Sequence, residues 1–185
     1  SYTLTATDSN NVGYESLAQF EISRAAGEAV GSYAMSITTD LSAAGNYVCH
    51  FDKDYFFEIT KASVEFAWIN LYSSDTYAAQ LRPYNGSAMQ HSYFASATND
   101  YTSYSQYSNE KDYIYFFVSN PELLEAGNET KVHVSYKSAT SSTNKYVAGN
   151  AATPTNAGFY EITVTIDETA NYAGVTAQTA FFQIP

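Results

Sequence analysis

The chain has 185 residues and sets 8 Lys+Arg against 19 Asp+Glu, for a formal net charge of −11 and a pI near 4.4. So acidic a surface repels phosphate backbones and anionic headgroups, which argues against nucleic acid and membrane surfaces as partners. Hydrophobic residues at 45% suffice for a packed core, and the single cysteine, Cys49, excludes an internal disulfide. No apolar run approaches the roughly 20 residues that span a bilayer.

Alternation of apolar and polar residues is the signature of a half-buried strand, and it recurs along the chain. It predicts strands at Tyr2–Thr7, Leu17–Ile22, Tyr33–Ile37, Tyr47–His50, Tyr55–Thr60 and Val64–Leu71. Further strands are expected at Tyr113–Val118, Lys131–Lys137, Tyr160–Ile166 and Ala180–Ile184. Turn signals separate them at Asn10-Asn11, Ala26-Gly27, Ala44-Gly45-Asn46, Asn85-Gly86 and Asn156-Ala157-Gly158. One short helix is predicted at Pro121–Ala126, with Asn120 as its cap, Pro121 at its first position and Gly127 at its end.

An internal repeat organises these elements. In both copies a Gly is followed two places on by Tyr (Gly31 and Tyr33; Gly158 and Tyr160). An Asp comes next (Asp40, Asp167), then an Asn-Tyr pair (Asn46-Tyr47, Asn171-Tyr172), then Phe-Phe-x-Ile (Phe56 to Ile59, Phe181 to Ile184). Only the loop between Asp and Asn-Tyr changes length, as expected of related domains. Many short strands with regular turns predict an all-β chain of tandem Ig-like β-sandwich domains. The alternative is a pair of β-grasp-like units with one short helix.

The boundary is expected near Lys61-Ala62, giving one domain over residues 1–61 and a second over 62–185. The first stretch has no counterpart to the strands around Val64–Leu71 and Tyr84–Met89, so it reads as a shorter variant or as a domain entered part-way. The start at Ser1, with neither initiator Met nor signal peptide, is expected of a piece of a longer protein.

Residues Ile22 to Ala62 resemble the second half of the bacterial MBG domain. Arg24, Gly27, Glu28, Gly31, Tyr33, Asn46 and Tyr47 stand at that pattern's positions. The second domain is similar to a related MBG or bacterial Ig-like repeat through Tyr84-Asn85-Gly86-Ser87, Pro154 to Tyr160, and Asn171-Tyr172-x-Gly174. The resemblance implies a non-catalytic module strung in tandem in bacterial surface proteins and adhesins. It departs from the pattern in two places: the first domain lacks an opening strand, and the Tyr-rich stretch from His91 to Tyr115 is long.

That stretch holds the candidate binding residues. Nine of the 18 Tyr lie between Tyr72 and Tyr115. Tyr93, Tyr101, Tyr104 and Tyr107 sit among Ser, Thr, Asn and Gln, where exposed rings would stack on a host glycan or pack on a host protein. The competing expectation is a loop whose tyrosines cover a neighbouring sheet. The Asn-Tyr pairs read as core filling and turn closure.

No metal or cofactor is expected. Asp52, Asp54 and Glu58, with Asp8 and Asp40, could offer oxygens to calcium but lack a calcium-loop pattern. His50, His91 and His133 have no zinc spacing, and Cys49 reads as a small buried residue. Neither a nucleophile elbow nor a phosphate-cradling glycine loop is present, so the chain is not expected to be an enzyme. One covalent option is an amide link between Lys61 and Asn171 assisted by Glu65. The expected role is a stalk or spacer at the bacterial cell surface, made stiff by short linkers such as Thr60-Lys61-Ala62. The alternatives are an adhesive module that uses the Tyr-rich segment and a subunit that assembles by strand exchange at an open sheet edge.

Overall fold

A computed structural model describes residues 22–37, 51, 53–71, 80–98, 100–142 and 145–185. The predicted strands Tyr2–Thr7 and Tyr47–His50, together with Asp8, Asp40, Cys49, His50 and Asp52, lie outside these residues. The chain is all-β and divides into two compact units, Ser1–Thr60 and Lys61–Pro185.

In the first unit, β1 (Ile22–Arg24), β2 (Gly31–Ile37) and β3 (Phe56–Ile59) form a three-stranded antiparallel sheet with β2 in the middle. Alternation along β2 leaves Tyr33, Met35 and Ile37 half-buried on one face. The Arg24 guanidinium lies 5.1 Å from the Tyr33 ring centre and 5.4 Å from that of Phe57, so a cation covers both rings. Its N–H groups also donate to the carbonyls of Ala25 and Gly27. Gly27 needs to be glycine: its φ is +142°, and a Cβ there would fall 2.3 Å from the Tyr33 ring.

The second unit holds two sheets. The larger runs β5-β11-β10-β8-β9, where β5 is Gln80–Leu81, β8 is Val132–Ser142, β9 is Lys145–Ala151, β10 is Gly158–Ile166 and β11 is Val175–Ile184. The smaller runs β4-β7-β6, where β4 is Phe66–Trp68, β6 is Gln90–Ala95 and β7 is Tyr113–Val118. The two sheets share one core. Ile114, Phe116 and Val118 of β7 meet Ile162, Val164 and Phe182 of the larger sheet, each with 0% of its surface exposed. Each such side chain stabilises the fold by about 1.5–3 kcal/mol relative to leaving it in water. This is sheet on sheet, a sandwich-like arrangement. The α-helix that a β-grasp unit would need is absent among the described residues, whose helices are short 3-10 turns.

The repeat seen in the sequence is a repeat in register. Gly31 pairs with Ile59 and Tyr33 with Phe57 across β2 and β3; Gly158 pairs with Ile184 and Tyr160 with Phe182 across β10 and β11. On the other side, Ile37 pairs with Ile22 as Val164 pairs with Val134. The sheet β1-β2-β3 therefore matches β8-β10-β11 strand for strand. The tyrosines match in detail as well: Tyr33 Oη donates to the Ala29 carbonyl at 2.6 Å and Tyr160 Oη to the Asn156 carbonyl at 2.9 Å, each four residues upstream. Arg24 occupies the position of Tyr136, whose ring meets Phe182 edge-on at 6.2 Å. The same corner is thus closed by a cation in one unit and by an aromatic ring in the other.

Several boundaries differ from the sequence reading. The strand expected over Val64–Leu71 shrinks to β4, because the buried Asn70 side chain replaces the ladder. Its amide donates to the carbonyls of Glu110 and Tyr113, and its oxygen accepts from the Tyr115 N–H. The helix expected over Pro121–Ala126 is a 3-10 turn, Pro121–Leu124, capped by Asn120, whose side-chain oxygen accepts from the Glu122 N–H at 3.0 Å.

Candidate functional site

Strands β6 and β7 run parallel, so they cannot be joined by a tight turn and require a crossover. The connecting segment, described over residues 96–98 and 100–112, lies over the outer face of the small sheet and carries the 3-10 helix Tyr101–Tyr107. A 3-10 helix has three residues per turn, so Tyr101, Tyr104 and Tyr107 fall on one side of it. That side faces the sheet. Tyr104 stacks on Phe94 at 4.3 Å, Tyr107 packs against Phe94 at 4.8 Å and Tyr115 at 5.0 Å, and Tyr101 leans on Phe117 at 6.4 Å. Phe117 is left with 0% exposure although it points away from the main core. Such pairs contribute about 0.5–1.5 kcal/mol each beyond their burial.

The four candidate tyrosines do not form one group. Tyr101, Tyr104 and Tyr107 share the outer aromatic layer. Tyr93 lies on the opposite face of β6, stacked on the core residue Phe116 at 5.6 Å, and its hydroxyl donates to the Leu123 carbonyl at 2.9 Å. Burial, with the nearby Glu129 carboxylate, raises its phenol pKa. Tyr93 is therefore a core residue with a satisfied hydroxyl. Tyr104 and Tyr107 are half-buried, whereas Tyr101 is 48% exposed. Sequence reasoning missed Phe94, Tyr113, Tyr115 and Phe117, which complete the layer. Tyr113 is 43% exposed and stacks on Tyr115 at 5.8 Å, so within this layer Tyr101 and Tyr113 are the rings most open to a ligand. Burial first, then the negative charge of Glu110, raises the Tyr115 phenol pKa. At the start of the helix the Asp100 carboxylate accepts hydrogen bonds from Ser103 Oγ at 2.6 Å and from Thr102 Oγ1, which hold it below the usual carboxylate range.

The other candidates are dispersed. His91 Nδ1 is 3.1 Å from the Tyr136 hydroxyl, and His133 Nε2 is 2.9 Å from Asp167 Oδ2. Among the described residues no three His, Cys, Asp or Glu side chains are grouped to hold a metal ion. No helix among them is long and apolar enough to cross a membrane. The residues considered for a covalent link have separate partners: Lys61 Nζ sits 2.7 Å from Glu168, while Asn171 Nδ2 donates to Glu122 at 2.6 Å. The carboxylate at Asn171 is thus that of Glu122 rather than Glu65.

Glu122 ties the 3-10 turn Pro121–Leu124 to the loop before β11. Hydrogen bonds from Thr169 and Asn171, with the charge of Lys61, hold its pKa below the usual value. A folded-state pKa lower than the unfolded one adds stability that is present above the unfolded value and lost as pH falls through the folded one. Urea midpoints of the second unit should therefore drop as pH falls below the ordinary glutamate value of about 4.3. The drop should be smaller in Glu122→Gln, and an equal drop in both would show that the contact carries none of it.

No protein-family model matches the chain, and no curated protein or solved structure matches it either.

Proposed function

We propose that this chain is a run of non-catalytic repeat modules from a secreted bacterial surface protein, acting as a stalk or spacer. The observation that carries this reading is the duplication itself: the same three-stranded sheet, in the same register and with the same tyrosine corner, occurs twice in succession. A protein that repeats a scaffold and varies its loops gains length from each copy. The MBG resemblance around Arg24 to Tyr33 points the same way. The Tyr-rich segment spends most of its rings on covering its own sheet, as a structural crossover would.

A second reading, adhesion to a host glycan or protein, is favoured by the exposed rings of Tyr101 and Tyr113. The full chain and a Tyr101→Ala/Tyr113→Ala variant, applied to a glycan array and to mucin, separate the two. These two positions leave the Tyr104 and Tyr107 packing in place. The spacer reading expects no saturable binding by either protein. Saturable binding that disappears in the still-folded variant would replace it with the adhesive one.

A further inference from the structure

The matched sheets differ in what covers them. In the second unit, Tyr160 and Phe182 are 7% and 0% exposed, because the layer β4-β7-β6 lies against that face. In the first unit, Phe57 holds the position of Phe182 and is 45% exposed. Only the Arg24 guanidinium is stacked over it among the described residues. Exposed aromatic surface on a sheet face whose duplicate is fully dry marks a docking surface.

We propose that the face of β2 and β3 bearing Tyr33 and Phe57 docks a covering β-layer of the same make as β4-β7-β6. The partner is a polypeptide whose short strands turn alternate aromatic and branched apolar residues inward, as Phe66 and Trp68 do on β4 and Ile114, Phe116 and Val118 do on β7. What identifies the occupant is the duplicate, which keeps such a layer on the same face in the same register. The chain's own small sheet is not free to serve, since its inner residues are already part of the second unit's core. Among the described residues Arg24 covers these rings, and it would slide aside to leave an aromatic-lined seat.

The proposal stands apart from the spacer reading, and its test uses a different readout. The full chain is mixed with a separate polypeptide spanning residues 61–131. In a second arrangement, residues 61–133 are joined directly to Ile22, which answers to Val134. Amide hydrogen exchange over residues 31–37 and 56–59 should slow by about tenfold or more in one or both arrangements. Phe57→Asp should abolish the slowing and leave residues 158–166 unchanged. No slowing in either arrangement overturns the proposal. So does an unmixed chain whose residues 31–37 are already as protected as residues 158–164, because its face is then closed. Dimerisation of the unmixed chain that is lost in Phe57→Asp also overturns it, by assigning the face to a second copy.

Discussion

Phe116→Ala is expected to cost the second unit about 3–5 kcal/mol, the range for removing a fully buried Phe from a core. The ring has 0% exposure and is the centre of the aromatic stack between the sheets. Phe66 lies parallel to it at 5.4 Å, Tyr93 at 5.6 Å, and Trp68 meets it edge-on at 6.0 Å. These neighbours come from the two strands that flank β7, so their backbones are fixed by the ladder and cannot collapse into the space left behind. The loss therefore includes both the transfer term and the cavity term. Urea denaturation of the variant would measure it, and a cost near 1 kcal/mol would mean that the small sheet does not pack on the larger one as described.

Arg82→Ala is expected to cost about 3 kcal/mol or more, by a different mechanism. Arg82 is 2% exposed, and burial lowers its pKa to about 10, so it remains charged at neutral pH inside the protein. One guanidinium nitrogen donates to the Glu110 carbonyl at 2.7 Å, the other to the Asn70 carbonyl. Its backbone N–H donates to Gln183 at 2.8 Å, which places it beside β11. Glu110 and Asn70 belong to segments flanking the small sheet, and Asn70 in turn holds the backbone of Tyr113 and Tyr115. Truncation takes the guanidinium donor from the buried Asn70 carbonyl, leaves the Glu110 carbonyl with the Asn70 amide alone, and opens a cavity where the side chain lay. Arg82→Lys should recover only part of the loss, because a single ammonium cannot present the planar fork that reaches both carbonyls. Full recovery by lysine would show that charge alone matters there.

Much of the fold was legible because alternation reports a face. The strand expected at Tyr113–Val118 is β7 to the residue, and Tyr160–Ile166 is β10 with its first two residues missing. The Gly-x-Tyr and Phe-Phe-x-Ile motifs were legible as a repeat and prove to be two neighbouring strands in a fixed register. Strand β6 was missed because Gln90 to Ala95 carries no clean alternation: one of its faces meets the core and the other meets the aromatic layer. Strand β9 was missed because Ala148-Gly149-Asn150-Ala151 carries no alternation of apolar and polar residues. Gly149 is glycine for closeness, since a Cβ there would lie 2.7 Å from Ser138 Oγ.

The candidate site was half legible. The three-residue spacing of Tyr101, Tyr104 and Tyr107 contained the shared side of a 3-10 helix. What the rings would meet was not contained in that spacing, because Phe94 and Tyr115 reach them only through the parallel pairing of β6 and β7. The same pairing separates Tyr93 from Phe94, adjacent residues on opposite faces of one strand.

The spacer reading rests on the two units being copies of one sheet, and cross-strand nuclear Overhauser contacts in the labelled full chain test that most directly. Contacts between Gly31 and Ile59, and between Tyr33 and Phe57, should appear beside those between Gly158 and Ile184 and between Tyr160 and Phe182. A shifted register in β2 and β3, or no pairing between them, would contradict the duplication and leave the spacer reading without its main support.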